Sequence, residues 1–370
     1  MRLTIEQAQF LKGLQAVERA VNDRSTLPIL ANVLLEAKES ALILTATDLD
    51  VGVQCRLPLL QPAEQGAVTL PAKRLTTIVR ELPGEPATFE AKKNHATTLA
   101  CGPSQFRLQG LPPEDFPIFP PVERATTLTI SQAGLRTLVT HTMFAMSLEE
   151  TRFILNGALL TATDRTLTVV ATDGRRLAVA DEPLLSTGHG PQPLGVVPSK
   201  TVRELGRLLS PSEEDDSPVQ IMSLKGNQLL FQFRDVTILT RLIDGQFPNY
   251  ESVIPPASPA TMVCNRTLLM SAVRRASLMT TATSQAVLFE LAKDRLVVSK
   301  ESSEVGSARE ELPARYTGEA MAVAFNPEFW LDALKMLDVE ELTIELSAPE
   351  KPAVVRLPHF LYIVLPMKLA

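Results

Sequence analysis

The sequence predicts an α+β chain of three repeated domains, each with two helices packed on antiparallel sheets. Three observations carry this prediction. An amphipathic helical stretch recurs three times, β-rich hairpins follow each copy, and a second helix opened near a proline completes the pattern. A length of 370 residues accommodates two or three domains of ordinary size.

The first helices are read in IEQAQFLKGLQAVERAV from Ile5, SQAGLRTLVTHTMFAM from Ser131 and NRTLLMSAVRRASLMT from Asn265. Apolar residues fall at three- and four-residue spacing, which lines one helix face. Ser131 and Asn265 stand as N-caps, whose side-chain oxygens can accept an orphan backbone N–H. The β-rich runs are NVLLEAKESALILTATDLDVGV, ILNGALLTATDRTLTVVATDGRRLAVA and AVLFELAKDRLVVSKE, in which Val, Ile, Leu and Thr are broken by polar turns. The second helices are PAKRLTTIVREL from Pro71, PSKTVRELGRLL from Pro198 and NPEFWLDALKML from Asn326. Proline costs little there, because a first-turn N–H has no helical partner to lose. Copies one and two close on FRLQGLPPEDFPIFPPV and LTRLIDGQFPNYESVIPP, whose Pro-rich ends read as linkers, and copy three ends on the apolar LYIVLPMKLA. The expected domains are therefore 1–123, 124–256 and 257–370.

Hydrophobic residues make up 45% and charged residues 21%, a globular profile. No apolar run approaches the roughly 18 residues that span a bilayer, so no membrane partner is expected. The opening MRLTIEQAQF lacks a charged leader and an apolar block, which makes the cytoplasm the expected location. Cys55, Cys101 and Cys264 lie far apart and read as small buried residues. His95, His141, His189 and His359 are scattered outside zinc-ligand spacing, so neither a metal nor a cofactor is expected.

The formal charge of −6 argues at first against nucleic acid. Its distribution reverses that impression. The six helical windows, the first taken as 4–21, hold 13 Lys and Arg against 6 Asp and Glu, so the rest of the chain carries −13. Helix propensity alone would admit Glu as readily as Lys or Arg, yet windows 131–146 and 265–280 contain Arg136, Arg266, Arg274 and Arg275 and no acidic residue. Helices sharing one side of the molecule would present a positive surface to a polyanion, with no base readout required. Aromatic residues are only 5%, with Trp330 the sole tryptophan, so stacking platforms for single strands are not evident and duplex is the better candidate.

Motifs of enzymatic chemistry are missing: the sequence has no GxxxxGK[ST], GxGxxG after a strand, GxSxG or HExxH. Asp48, Asp164 and Asp173 each follow Thr in a repeated context and read as turn formers rather than catalytic carboxylates. A non-catalytic protein is expected.

The phrases RSTLPILANVLLE at 24–36, TDLD at 47–50, FRLQGLPPEDFP at 106–117, RFILNG at 152–157, ATDGRRLAV at 171–179, LIDGQFPNY at 242–250 and the tail YIVLPMKL resemble the bacterial DNA polymerase III beta subunit family, the DNA sliding clamps. The resemblance spans the whole chain. It implies the DNA clamp fold and a head-to-tail homodimer whose six domains close a ring, with helices inside and sheets outside. Such a processivity factor encircles duplex DNA and tethers the replicative polymerase. The implied partners are double-stranded DNA of any sequence, a second copy, the clamp loader, the polymerase alpha subunit and other proteins with a clamp-binding motif. Retention by topology suits few, exchangeable phosphate contacts, because deep ion pairing would slow sliding.

On this resemblance, phosphates would meet Arg24, Lys73, Arg74, Arg80, Lys200 and Arg203, with Arg274 and Arg275 behind them. Partner peptides would dock in a pocket made by Leu155, Thr172, Gly174, Arg175, Arg176, Leu177, Pro248 and Val253. Asn326, Phe329, Val364, Pro366, Met367 and Leu369 would complete it. Leu, Val and flexible Met make an adaptable floor, while Arg176 and backbone groups can orient a glutamine or the peptide main chain. Dimer closure would use Phe106, Leu108, Leu278 and Met279. The chain departs from the family pattern at Glu149, at Ser252, in the cation-poor loop TTATSQA at 280–286 and in the extra terminal Ala370. Two rivals stand beside this reading. An enzyme acting on DNA would place metal-binding carboxylates or a nucleophile on the basic face, and a protein-only scaffold would ignore circular DNA.

Overall fold

The computed structural model describes residues 1–120, 126–186, 192–209 and 217–368. It divides into two compact units, the first Met1–Ala133, Leu184–Gly190 and Arg207–Leu242, the second Gly134–Pro183, Pro191–Gly206 and Ile243–Ala370.

Six α-helices occur among the described residues: α1 (Gln7–Val17), α2 (Ala72–Arg80), α3 (Gln132–Thr142), α4 (Ser199–Leu208), α5 (Arg266–Ser277) and α6 (Pro327–Met336). Each falls inside one expected window. The first window opens too early, because Ile5 belongs to a strand, 2–6, that pairs with 86–91. Apolar residues at that strand's alternate positions continue smoothly into the helical spacing, so periodicity alone does not separate the two. Asn265 caps α5, its side chain accepting from the Leu268 N–H at 3.0 Å, and Pro327 occupies the first turn of α6. The two helices of each repeat are paired. Gln7 of α1 donates to the Val79 carbonyl of α2 at 2.6 Å. A Cβ on Gly206 of α4 would stand 3.2 Å from Val139 of α3, and Arg266 of α5 donates to the Leu334 carbonyl of α6 at 2.9 Å.

The sheets run across repeat boundaries, which no local pattern announces. In the first unit an eight-stranded antiparallel sheet has the order 66–71, 32–37, 41–47, 51–58, 236–241, 228–233, 218–224, 126–131. Its midpoint is the pairing of 51–58 with 236–241, Gly52 opposite Leu239. A four-stranded sheet, 2–6, 86–91, 96–101, 104–109, completes that unit. In the second unit twelve strands are joined, and 176–183 pairs with 360–364, Leu177 opposite Ile363. The third hairpin strand of one repeat thus meets the last strand of the next, and each junction supplies backbone partners that an isolated edge would lack.

Helices cover the sheets closely. A Cβ on Gly13 would lie 2.5 Å from Leu57 Cδ1, so α1 approaches its sheet only because this position is glycine. Phe289, Phe325 and Trp330 form an aromatic cluster under α6, with centroids 5.3 to 5.7 Å apart. All three cysteines are buried and free, as expected of small apolar residues. Burial pushes the Cys55 thiol up to about 11 and the Cys264 thiol up to about 12, which suppresses thiolate chemistry at neutral pH.

Candidate peptide pocket and helix faces

The turn 172–176 is held by its own side chains. Thr172 Oγ1 donates to the Arg176 carbonyl at 2.6 Å and accepts from the Gly174 N–H at 3.0 Å. Asp173 Oδ1 accepts from the N–H groups of Arg175 and Arg176 at 2.8 and 3.0 Å. Asp173 is therefore a turn former, and Asp48 does the same for Asp50 and Val51 at 3.0 and 2.8 Å. Gly174 has φ +84°, a conformation that favours glycine, and a Cβ there would meet Arg152 Nη1 at 2.7 Å, so a side chain would strain the backbone and displace the end of Arg152.

This turn aims Arg176 at the third repeat. Its guanidinium lies 3.1 Å from Asp173 Oδ2 and 2.8 Å from Asp332 Oδ2, over the Phe329 ring at 4.5 Å and the Phe144 ring at 5.6 Å. Burial opposes its charge, but the hydrogen bond to Asp332 and the surrounding groups more than offset that, holding the guanidinium above the ordinary arginine value. Tyr362, fully buried beside it, is pushed up by burial and donates to the Phe329 carbonyl at 2.7 Å.

A cavity of about 220 Å³ opens beside this turn. Its lining includes Leu155, Thr172, Gly174, Arg175, Arg176, Leu177, Pro248 and Val253 of the expected set, together with Asn249, Tyr250, Pro352, Ile363 and Leu365. Leu155, Leu177 and Ile363 also belong to a buried cluster with Val170, Val196, Phe247 and Val354, so the floor is core exposed on one side. The other expected residues lie elsewhere. Val364 is fully buried in the sheet opposite Arg176 and Ala353. Asn326 caps α6 by accepting from the Glu328 N–H, and Phe329 lies beneath Arg176. Pro366 and Met367 line a second cavity, of about 300 Å³, with Ala322, Ala324 and Glu350. Leu369 and Ala370 lie outside the described residues. The alternation of the last strand was the available signal: Ile363 and Leu365 share the face opposite Val364.

The basic candidates sit mostly on exposed helix faces. On α2, Ala72, Leu75, Thr76 and Val79 face the core, leaving Lys73, Arg74 and Arg80 outward. Lys73 is 2.7 Å from Asp23, whose carboxyl is lowered by that hydrogen bond. Arg24 is exposed in the turn beyond α1; Arg203 is exposed and Lys200 half-buried on α4. Arg274 and Arg275 are exposed on α5, where Arg275 lies 2.6 Å from Glu310. Of the departures, Glu149 lies 3.4 Å from Arg152, and Ser252 donates to the Asn249 carbonyl at 2.7 Å beside the cavity. The loop 280–286 borrows a cation: Lys300, from the strand 295–302, donates to Ser284 at 2.6 Å. Phe106 and Leu108 lie on the outermost strand 104–109, and Leu278 and Met279 follow the end of α5.

Models of the DNA polymerase III beta subunit match the chain in succession: the N-terminal domain at residues 1–120, the central domain at 129–249 and the C-terminal domain at 251–368. The beta sliding clamp of Pseudomonas putida is 33% identical over 373 residues, covering 100% of both chains. That of Proteus mirabilis is 35% identical over 349 residues, covering 94% of this chain and 93% of the relative. Among solved structures, the sliding clamp of Pseudomonas aeruginosa bound to griselimycin superposes with a TM-score of 0.93 at 33% identity, and that of Bartonella birtlesii bound to griselimycin with 0.92 at 34%. Both alignments cover 100% of each chain. A fold shared from end to end, with three consecutive domain matches, leads to one conclusion: this chain belongs to the DNA polymerase III beta subunit family, the beta sliding clamps.

Proposed function

We propose that this protein is a non-catalytic, cytoplasmic processivity clamp. Two copies close head to tail around duplex DNA, and the cavity beside Arg176 docks peptides of the replicative polymerase alpha subunit, the clamp loader and other partners. Its domains are 1–123, 124–256 and 257–370. The observation that carries the reading is the repeated use of one strand junction. Strand 51–58 pairs with 236–241, and 176–183 pairs with 360–364. The corresponding strands left over are 306–316 in the third repeat and 104–109 in the first. Among the described residues, 104–109 pairs only with 96–101, and the stretch 306–313 only with 295–302. The two edges are complementary ends of one motif, so a second copy satisfies both without a new kind of contact. Phe106 and Leu108 on one edge, with Leu278 and Met279 near the other, supply apolar surface for the joint.

The basic helix faces at Arg24, Lys73, Arg74, Arg80, Lys200, Arg203, Arg274 and Arg275 suit a sliding contact. They lie on exposed or half-exposed surface, where phosphates exchange with counterions and no base is read. The test is loading. With a matching clamp loader and ATP, the protein is expected to remain on nicked circular duplex through gel filtration and to leave when the circle is cut. Equal retention on linear and circular DNA, or none on either, sinks the proposal.

A further inference from the structure

We infer that the first repeat carries a second copy of the docking pocket, kept shut by the chain's own Phe119. The inference rests on reading the cavity beside Arg176 as the docking pocket. The turn 47–51 reproduces the rim 172–176 bond for bond. Thr47 Oγ1 donates to the Val51 carbonyl at 3.1 Å and accepts from the Leu49 N–H at 3.0 Å, as Thr172 does for Arg176 and Gly174. Asp48 accepts from two N–H groups as Asp173 does. Leu49 has φ +82° where Gly174 has +84°. The following strand is also matched: the Arg241 N–H donates to the Asp50 carbonyl at 2.9 Å, and the Leu365 N–H donates to the Arg175 carbonyl at 2.9 Å.

Leu49 adopts a backbone conformation that ordinarily favours glycine, a strained state that persists where the surrounding bonds over-determine it. The rim geometry is therefore built twice. What differs is the filling. Gly52 stands where the second junction has Leu177, and the Phe119 ring lies against it, 3.1 Å from the position of an added Cβ. The aligned phrases FPIF at 116–119 and FPNY at 247–250 explain the match: Phe116 and Phe247 are both buried, and Tyr250 lines the open cavity at the position equivalent to Phe119. Removing the Leu side chain gives the linker's aromatic ring a seat on the sheet. Val51 and Arg241 replace Arg176 and Leu365, so the shut copy has no guanidinium at the Arg176 position, carries one at the Leu365 position instead, and is shaped for an aromatic side chain in a proline-flanked peptide. The consequence is one open docking pocket per chain where the repeat would otherwise offer two.

The experiment uses the full-length protein and two probes. Griselimycin, bound by two similar clamps, is the probe for the second-junction pocket, and a fluorescent acetylated pentapeptide FPIFP, residues 116–120, is the probe for the first. With griselimycin saturating, Phe119→Ala is expected to bind one pentapeptide per chain at least tenfold more tightly than the unaltered protein. Phe119→Leu, which vacates part of the seat while keeping an apolar residue there, is expected to show a smaller gain in the same direction and serves if the first variant fails to fold. Equal pentapeptide binding by the variants and the unaltered protein, including none by any, overturns the inference. Griselimycin binding that is absent, or indifferent to Arg176→Ala, overturns the reading of the second-junction pocket instead, while the pentapeptide titration still decides the role of Phe119.

Discussion

The guanidinium of Arg176 stands 2.8 Å from the carboxylate of Asp332, tying a hairpin turn of the second repeat to a helix of the third. The Arg176 side chain is 10% exposed while that of Asp332 is 46% exposed, so only one end of the pair is sheltered. Removing the arginine is therefore expected to cost about 2 kcal/mol, the range of a hydrogen bond to a charged group, rather than the larger penalty of a fully buried pair. Arg176→Ala should show this as a lower urea midpoint, with weakened griselimycin binding. Arg176→Lys should recover little, since it loses the planar fork that spans Asp173 and Asp332. Unchanged midpoint and affinity in both variants would contradict the assignment.

Gly174 governs the same turn through its backbone. Alanine there places a methyl 2.7 Å from Arg152 Nη1 at φ +84°, and it should cost about 1–2 kcal/mol. It should also break the 2.9 Å bond from Arg152 to the Asp173 carbonyl. Denaturation measures the first effect, and griselimycin affinity reads the change in rim shape.

Two histidines make opposed contributions to stability against pH. Burial holds His141 below the ordinary 6.5, so the folded state binds fewer protons than the unfolded one. Its contribution is complete above 6.5 and is lost as pH falls through the folded value. The hydrogen bond and charge of Asp181, 2.8 Å away, hold His359 above 6.5. Its contribution is present below 6.5 and is lost as pH rises through the folded value. His141→Gln should flatten the acid side of the stability curve and His359→Asn the near-neutral side, the latter weakly because that pair is exposed. A reversal of the two effects would refute the argument.

The proposed closure makes Phe106, 36% exposed on its edge strand, a contact between copies. Phe106→Asp puts a charge at that joint and should weaken the dimer by roughly 30-fold or more, the effect of losing about 2 kcal/mol at an interface hot spot. Sedimentation equilibrium checks it, and an unchanged association constant would place the joint elsewhere.

On the basic faces, the salt dependence of duplex binding should separate free cations from paired ones. Arg74→Ala is expected to reduce the slope of log K against log salt by about 0.9, one phosphate contact. Lys73→Ala should reduce it less, because Asp23 at 2.7 Å already shares that charge. Equal reductions would show that the ion pair opens on DNA.

How much was legible follows from the range of each interaction. The six helices, the hairpins and the turn roles of Asp48 and Asp173 depend on near neighbours in the chain, so spacing and residue type were enough to find them. The domain boundary expected at 123 falls within 121–125, outside the described residues. The pocket was half legible: its rim lies in one contiguous phrase, ATDGRRL. Ile363, Leu365 and Asp332 reach it from elements nearly two hundred residues away or more than a hundred and fifty, and only strand pairing and helix packing decide which of their faces arrives.

The chain by itself determined three copies of a local plan, because hydrophobic period, capping and turn chemistry act over a few residues. Tertiary structure alone decided that the copies share continuous sheets, that Arg176 finds Asp332 and that Phe119 settles on Gly52. Each of those is a meeting of distant segments, and its outcome is set by register and by the space a missing side chain leaves.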